Sequence, residues 1–175
     1  MNKTLRSVEE FHKTFGAPVL NDPEIPARDR VKLRLSLILE ELSELAVASE
    51  ATDDFIDLMK NKIDAIRSEK ESKDPVEAMD ALCDLQVVLN GTILEYGLHD
   101  KFDESFDEVH RSNMSKACED EEQGEESIAK YKDQGVATRM EKVNGKIVIY
   151  RDPDNKILKG VNYTPPNIKS ILNGK

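Results

Sequence analysis

The sequence predicts an all-α fold: a helical bundle of four to five helices with a small C-terminal β-hairpin appendage. Three observations carry that prediction. Apolar residues recur at helical spacing through most of the first 118 residues. Asp74-Pro75 pairs an N-cap residue with the residue best suited to the first helical position, and Gly97 supplies a stop. Alternating apolar and polar residues occur only near the C-terminus, around Asn144-Gly145, the strongest short hairpin signal. The expected organisation is one domain over 1–175, with a helical core over 3–118 and the hairpin and tail over 136–175.

Residues 3–15 read as a first helix with Val8, Phe11 and Phe15 on one side and Gly16 as its stop. A loop carrying Pro18, Pro23 and Pro26 follows. A long helix is expected over 29–49, where Leu35, Ile38, Leu39, Leu42, Leu45 and Ala46 form its stripe. Residues 53–71 form a second amphipathic piece with Phe55, Leu58, Met59, Ile63 and Ile66; the sequence leaves open whether it extends the long helix or folds back. The next helices are expected over 75–96 and 100–116. EDEEQGEES then reads as a solvated, mobile block of like charge. The stretch TRMEKVNGKIVIYRDPDNKILKG forms the hairpin. The irregular tail VNYTPPNIKSIL is too short to bury a core of its own, so it should pack on the helices.

A net charge of −10 argues against non-specific nucleic-acid binding, which relies on a basic surface. Aromatic content of 5% with no Trp argues against a base-stacking platform. Cys83 and Cys118 give neither a disulfide framework nor zinc spacing, and Cys83, between Leu82 and Leu85, reads as a small core residue. His12, His99 and His110 show no metal pattern. MNKTLRSVEEF lacks the apolar stretch of a signal peptide, and no run reaches the ~18 apolar residues of a membrane span. A soluble, cytoplasmic protein without a membrane partner is expected.

The two most apolar helices carry clustered acids. Glu40, Glu41 and Glu44 lie in LSLILEELSELAVAS; Glu77, Asp80 and Asp84 lie in DPVEAMDALCDLQVVLNG. At 100° per residue, Glu41 and Glu44 stand about 60° apart, and so do Glu77 and Asp80. Acidic pairs at such spacing are ordinarily solvated face. Here they interrupt helices apolar on more than one side, which implies burial. Buried carboxylates need a compensating charge, and magnesium or manganese suits an all-oxygen donor set. A di-iron bundle would need Glu-x-x-His on its helices, and none occurs.

EELSEL followed by EAMDALCD resembles the signature of the all-α nucleoside triphosphate pyrophosphohydrolases, the MazG-like superfamily that includes dimeric dUTPases, dCTPases and phosphoribosyl-ATP pyrophosphohydrolase. FHKTFGAPV, FDEVHRSNMSK and KILKGVNYTPPNI are similar to its phosphoribosyl-ATP pyrophosphohydrolase-like branch. The stretch between Glu44 and Glu77 is longer than that pattern. The resemblance implies metal-dependent hydrolysis of an NTP or dNTP, with dUTP a candidate, to a monophosphate and pyrophosphate. It implies that Glu41, Glu44, Glu77 and Asp80 hold the Mg2+ or Mn2+, that Glu40 serves the attacking water, and that Asp84 supports the ligands. It also implies that Asn113 and Lys116 lie near the nucleotide, and Lys159 adds an expected phosphate contact from the tail. Helices apolar on several sides imply a homodimer at least. The alternatives are phosphoribosyl-ATP hydrolysis in histidine synthesis and a non-catalytic, metal-binding helical interaction module.

Overall fold

The computed structural model describes residues 2–49 and 74–174. Most of these are helical, and the sheet is a two-stranded antiparallel hairpin. The elements are α1 (Lys3–Thr14), α2 (Arg28–Ala48), α3 (Pro75–Glu95), α4 (His99–Met114), α5 (Glu121–Asp133), β1 (Thr138–Val143), β2 (Lys146–Arg151) and α6 (Ile168–Leu172). The amphipathic piece expected over 53–71 lies outside the described residues. The chain divides into two compact units, Met1–Asn21 with Val88–Lys175, and Asp22–Val87.

Local chemistry accounts for the helix ends. The Asn2 side chain accepts from the Leu5 amide at 2.9 Å and caps α1. Gly16, at φ 65°, turns the chain away after Phe15. The Asp74 carboxylate accepts from the Val76 amide at 2.8 Å, one residue after Pro75 opens α3. At the far end, Gly97 adopts φ 68° and the Leu98 amide returns to the Ile93 carbonyl at 3.0 Å.

In the first unit the hairpin is the organising layer. Asn144 and Gly145 have φ 47° and 86°, the left-handed pair of a two-residue turn, and the register runs from Val143↔Lys146 to Thr138↔Arg151. Strand β2 is covered on both sides. Val148 faces Phe15, Ala117, Phe11 and Met114. Ile147 and Ile149, pointing the other way, meet Cys118, Ile128, Tyr131 and Leu158. Each such fully buried aliphatic side chain contributes about 1.5–3 kcal/mol.

The acidic block after Cys118 is a correction to the sequence reading. It forms the ordered helix α5, with its acidic side chains solvated as expected. Asp120 caps the helix by accepting from the Gln123 amide at 2.9 Å, and the Gln123 side chain accepts from the Glu119 amide at 3.1 Å. Glu121 and Glu122 sit in the first turn and Lys130 and Lys132 in the last, as the helix dipole favours. The tail, read as irregular, ends in the short helix α6, capped by Asn167.

The second unit comprises α2 and most of α3. Neither helix is buried in the single chain. Helix α2 buries Ala46 and α3 buries no residue; Val76, Val87 and Val88 are 75%, 68% and 67% exposed. Cys83, expected in a core, is exposed, as its helix α3 buries none of its residues. Among the described residues no helix is long and apolar enough to cross a membrane.

Gly124 is where α5 approaches the hairpin most closely: a Cβ there would lie 2.8 Å from Ile147 Cγ2 and 2.9 Å from Met140 Sδ. Gly124→Ala should therefore destabilise by about 1–3 kcal/mol through overpacking. Denaturant unfolding of the variant checks this; an unchanged midpoint would refute the close packing.

Candidate functional site

Glu40, Glu41 and Glu44 project from α2 and Glu77, Asp80 and Asp84 from α3, all exposed in the single chain. Among the described residues no group of three or more His, Cys, Asp or Glu is close enough to hold a metal ion. As a donor set, six carboxylates with no nitrogen or sulfur suit a hard divalent cation. One chain does not gather three of them around one point.

The other unit does assemble a cluster. At the C-terminal end of α4, the Lys116 ammonium donates to Asn113 Oδ1 at 2.8 Å, joining two of the expected substrate residues. Asn113 is in the last turn of α4 and Lys116 lies in the turn just beyond its end. The third, Lys159, comes from the tail. Its backbone carbonyl is held by the Tyr131 hydroxyl at 3.0 Å, and its ammonium lies 4.4 Å from the centroid of the Tyr163 ring. Tyr163 in turn meets α4, where the buried Ser112 hydroxyl donates to its phenol oxygen at 3.3 Å. That hydrogen bond, with the Lys159 and Lys116 charges, holds the Tyr163 phenol below the ordinary tyrosine range, against the opposing effect of burial.

The sequence reading missed Tyr163 and Ser112. The available signal was spacing: Lys159 and Tyr163 are four residues apart, as are Ser112 and Lys116. What the sequence did not show is that the tail runs back along α4. Gly160 makes this possible. Its amide donates to the Lys116 carbonyl at 3.0 Å, and a Cβ there would stand 2.6 Å from Cys118 Sγ. The Val161 amide donates to the buried Ser127 hydroxyl at 2.9 Å, and Asn162 Nδ2 donates to the Ala117 carbonyl at 3.0 Å. Further on, Arg111 joins Glu108 to the tail through Thr164 Oγ1 and the Pro165 carbonyl, while Glu108 accepts from the Asn167 amide at 2.8 Å.

The histidines play other parts. His110 meets Glu10 at 3.2 Å and His12 the Pro18 carbonyl at 2.9 Å. Arg111 is a clamp on the tail, in keeping with a packing role.

Comparison with known proteins gives three findings. Residues 8–113 match the family model of phosphoribosyl-ATP pyrophosphohydrolase. An uncharacterised protein of Acanthamoeba polyphaga mimivirus is 26% identical, over 95% of this chain and 94% of that protein. The crystal structure of a candidate NTP pyrophosphohydrolase from Exiguobacterium sp. 255-15 superposes with a TM-score of 0.67, covering 99% of this chain and 95% of its own. At 21% identity that structure bears on the fold alone.

The tail clamp has a pH signature. The Arg111 hydrogen bond, followed by the Asn167 amide, holds the Glu108 carboxyl at about 2 against an ordinary 4.5. A carboxyl depressed on folding adds stability that is full above the unfolded value and disappears as pH falls through the folded one. The contribution should therefore be present above about pH 4.5 and fade between there and about pH 2. Melting temperatures across that range should fall less steeply for Glu108→Gln than for the parent; parallel curves would show that the ion pair does not tie the tail to α4.

Proposed function

The chain belongs to the phosphoribosyl-ATP pyrophosphohydrolase family, and on that premise we propose that it hydrolyses a nucleoside triphosphate to a monophosphate and pyrophosphate in a metal-dependent reaction. The observation that carries this reading is the match over 8–113, which spans both acidic motifs and Asn113. In the proposed reaction a water oxygen attacks the α-phosphorus and the bond to the α–β bridging oxygen breaks. Pyrophosphate then leaves with that oxygen.

Glu41, Glu44, Glu77 and Asp80 would hold Mg2+ or Mn2+, with Asp84 orienting them. A bound ion of this kind neutralises triphosphate charge and lowers the pKa of water. Glu40 orients the attacking water and takes its proton. About 40° of rotation separates it from Glu44 and about 100° from Glu41, so it can flank a metal-bound water without sharing the face of Glu41. Asn113, Lys116 and Lys159 contact phosphate; positioning and charge neutralisation are most of what phosphate chemistry requires.

We further propose that a second copy covers α2 and α3. The exposed Leu35, Ile38 and Leu42 on α2 and Leu82 and Leu85 on α3 support this, since exposed apolar side chains at helical spacing favour a covering partner. The narrower reading, hydrolysis of phosphoribosyl-ATP itself, is favoured by the family's own description. Pyrophosphate release measured from phosphoribosyl-ATP beside dUTP, dCTP and the other triphosphates decides between them. No release from any would leave a non-catalytic metal-binding module.

Three outcomes follow for the acids. Glu44→Gln and Asp80→Asn should abolish turnover with the fold intact; near-parental activity in either at ordinary magnesium concentrations would remove the proposed ligand set. Glu40→Gln should lower kcat by ~10²–10⁴ while metal and nucleotide still bind. If metal affinity collapses with activity, Glu40 is a ligand. Finally, manganese at ~100 times its Kd should raise stability by about 2.7 kcal/mol over EDTA, read as a shift in the melting curve.

A further inference from the structure

We propose that Tyr163 is a phosphate-binding residue: with Lys159 and Lys116 it forms a subsite for a diphosphate group, the portion of a nucleoside triphosphate released as pyrophosphate. The identity of the ligand rests on the pyrophosphohydrolase reading; the site itself rests on how the tail is built onto α4.

The phenol oxygen accepts from the Ser112 hydroxyl at 3.3 Å, and the Lys159 ammonium lies 4.4 Å from the ring centroid. The phenol O–H meets no acceptor among the described residues and is available to a ligand oxygen. The neighbouring ammonium charges make the phenol more acidic, and a more acidic O–H donates more strongly to an anionic oxygen. The Lys159 ammonium meets no carboxylate among the described residues and packs against the Tyr163 ring at 4.4 Å. The Lys159 ammonium and the Tyr163 hydroxyl thus come from the tail to the end of α4, where Ser112 meets the phenol and Lys116 follows the helix.

The site is also preorganised. Hydrogen bonds from Gly160, Val161 and Asn162 to Lys116, Ser127 and Ala117 hold the tail before Tyr163, and Thr164 meets Ser115 and Arg111 after it. Ordering was thus completed on folding and is not a cost of binding. Several donors with two positive charges suit the many oxygens of a diphosphate better than a lone monophosphate. Stacking of a base is the competing use of a tyrosine, but the Lys159 ammonium occupies one face of this ring at 4.4 Å.

The test uses the full-length protein in EDTA, so that binding is read independently of metal. Inorganic tripolyphosphate is titrated calorimetrically into the parent, Tyr163→Phe, Lys159→Gln and Lys132→Gln, the last removing an equal charge from the end of α5. Affinity should fall about tenfold or more in Tyr163→Phe and Lys159→Gln and hold in Lys132→Gln. Phenol absorbance at alkaline pH gives a second readout: tripolyphosphate should raise the titration point of one tyrosine, and that response should vanish in Tyr163→Phe. Pyrophosphate should compete and a nucleoside monophosphate should not. No binding by the parent, equal loss in Lys132→Gln, or equal competition by the monophosphate overturns the proposal. Binding without hydrolysis of any nucleotide would uphold the subsite and sink the enzymatic reading. Hydrolysis with unchanged KM in Tyr163→Phe and Lys159→Gln would do the reverse.

Discussion

Ile147, Val148 and Ile149 occupy three consecutive positions of one strand, and all three are buried. Alternate residues of a strand point to opposite faces, so burying this run requires a cover on each side of a two-stranded sheet. A hairpin alone is marginal in water. Here Phe11, Phe15 and Met114 cover one side, and Ile128 and Tyr131 the other. Elements from both ends of the unit's sequence are thereby fixed around β2. The connection continues into the backbone, where Cys118 forms an isolated bridge with Ile147 and Ile157 one with Tyr150.

The placement of the tail depends on that core. The bridge at Cys118 sets where α4 ends and α5 begins, and the tail threads between them past Gly160. Each contact along it is modest, since a typical hydrogen bond contributes only about 0.5–1.5 kcal/mol and exposed ion pairs contribute less. Their effect is geometric: they bring Lys159 and Tyr163 to the end of α4, where the helix carries Ser112 and Asn113 and Lys116 follows. One polar atom is left over. Asn162 Oδ1 is buried without a hydrogen-bond partner although its amide nitrogen is satisfied. An unmet acceptor beside the tail turn is a local cost, borne at the point where the tail is bent toward α4.

Much of the fold was legible because its signals are local. Asp74-Pro75, Gly97 and Asn144-Gly145 each act within a turn of their own position, and the elements they bound formed where expected. The acidic block was misread because composition was weighed above capping. Asp120 and Gln123 carry the spacing of a cap, and Gly124, Ser127 and Ile128 give α5 a face narrow enough to lie on β2. Tyr163 was illegible for a different reason. Its partners Ser112 and Lys116 lie about fifty residues away, and no periodicity encodes a tail doubling back on a helix end. Asn113 and Lys116 were named from resemblance and share a hydrogen bond, while Lys159 packs on Tyr163, which meets the neighbouring Ser112.

Helices α2 and α3 pose the opposite problem: their sequence is that of buried helices, yet they are exposed in the single chain. Covering the apolar side chains is favourable at roughly 25 cal/mol per Å². The carboxylates oppose it, because Glu41, Glu44, Glu77 and Asp80 cannot be removed from water uncompensated without a penalty of several kcal/mol each. Under the proposed reading, a second copy and a divalent cation answer both demands together. The cation offsets the desolvation that assembly imposes, and assembly gathers carboxylates that one chain leaves apart. Metal affinity and self-association are then thermodynamically linked, each strengthened by the other through the same free energy. The acids that make these helices poor candidates for a purely apolar interface are, on this argument, what makes the interface conditional on the ion.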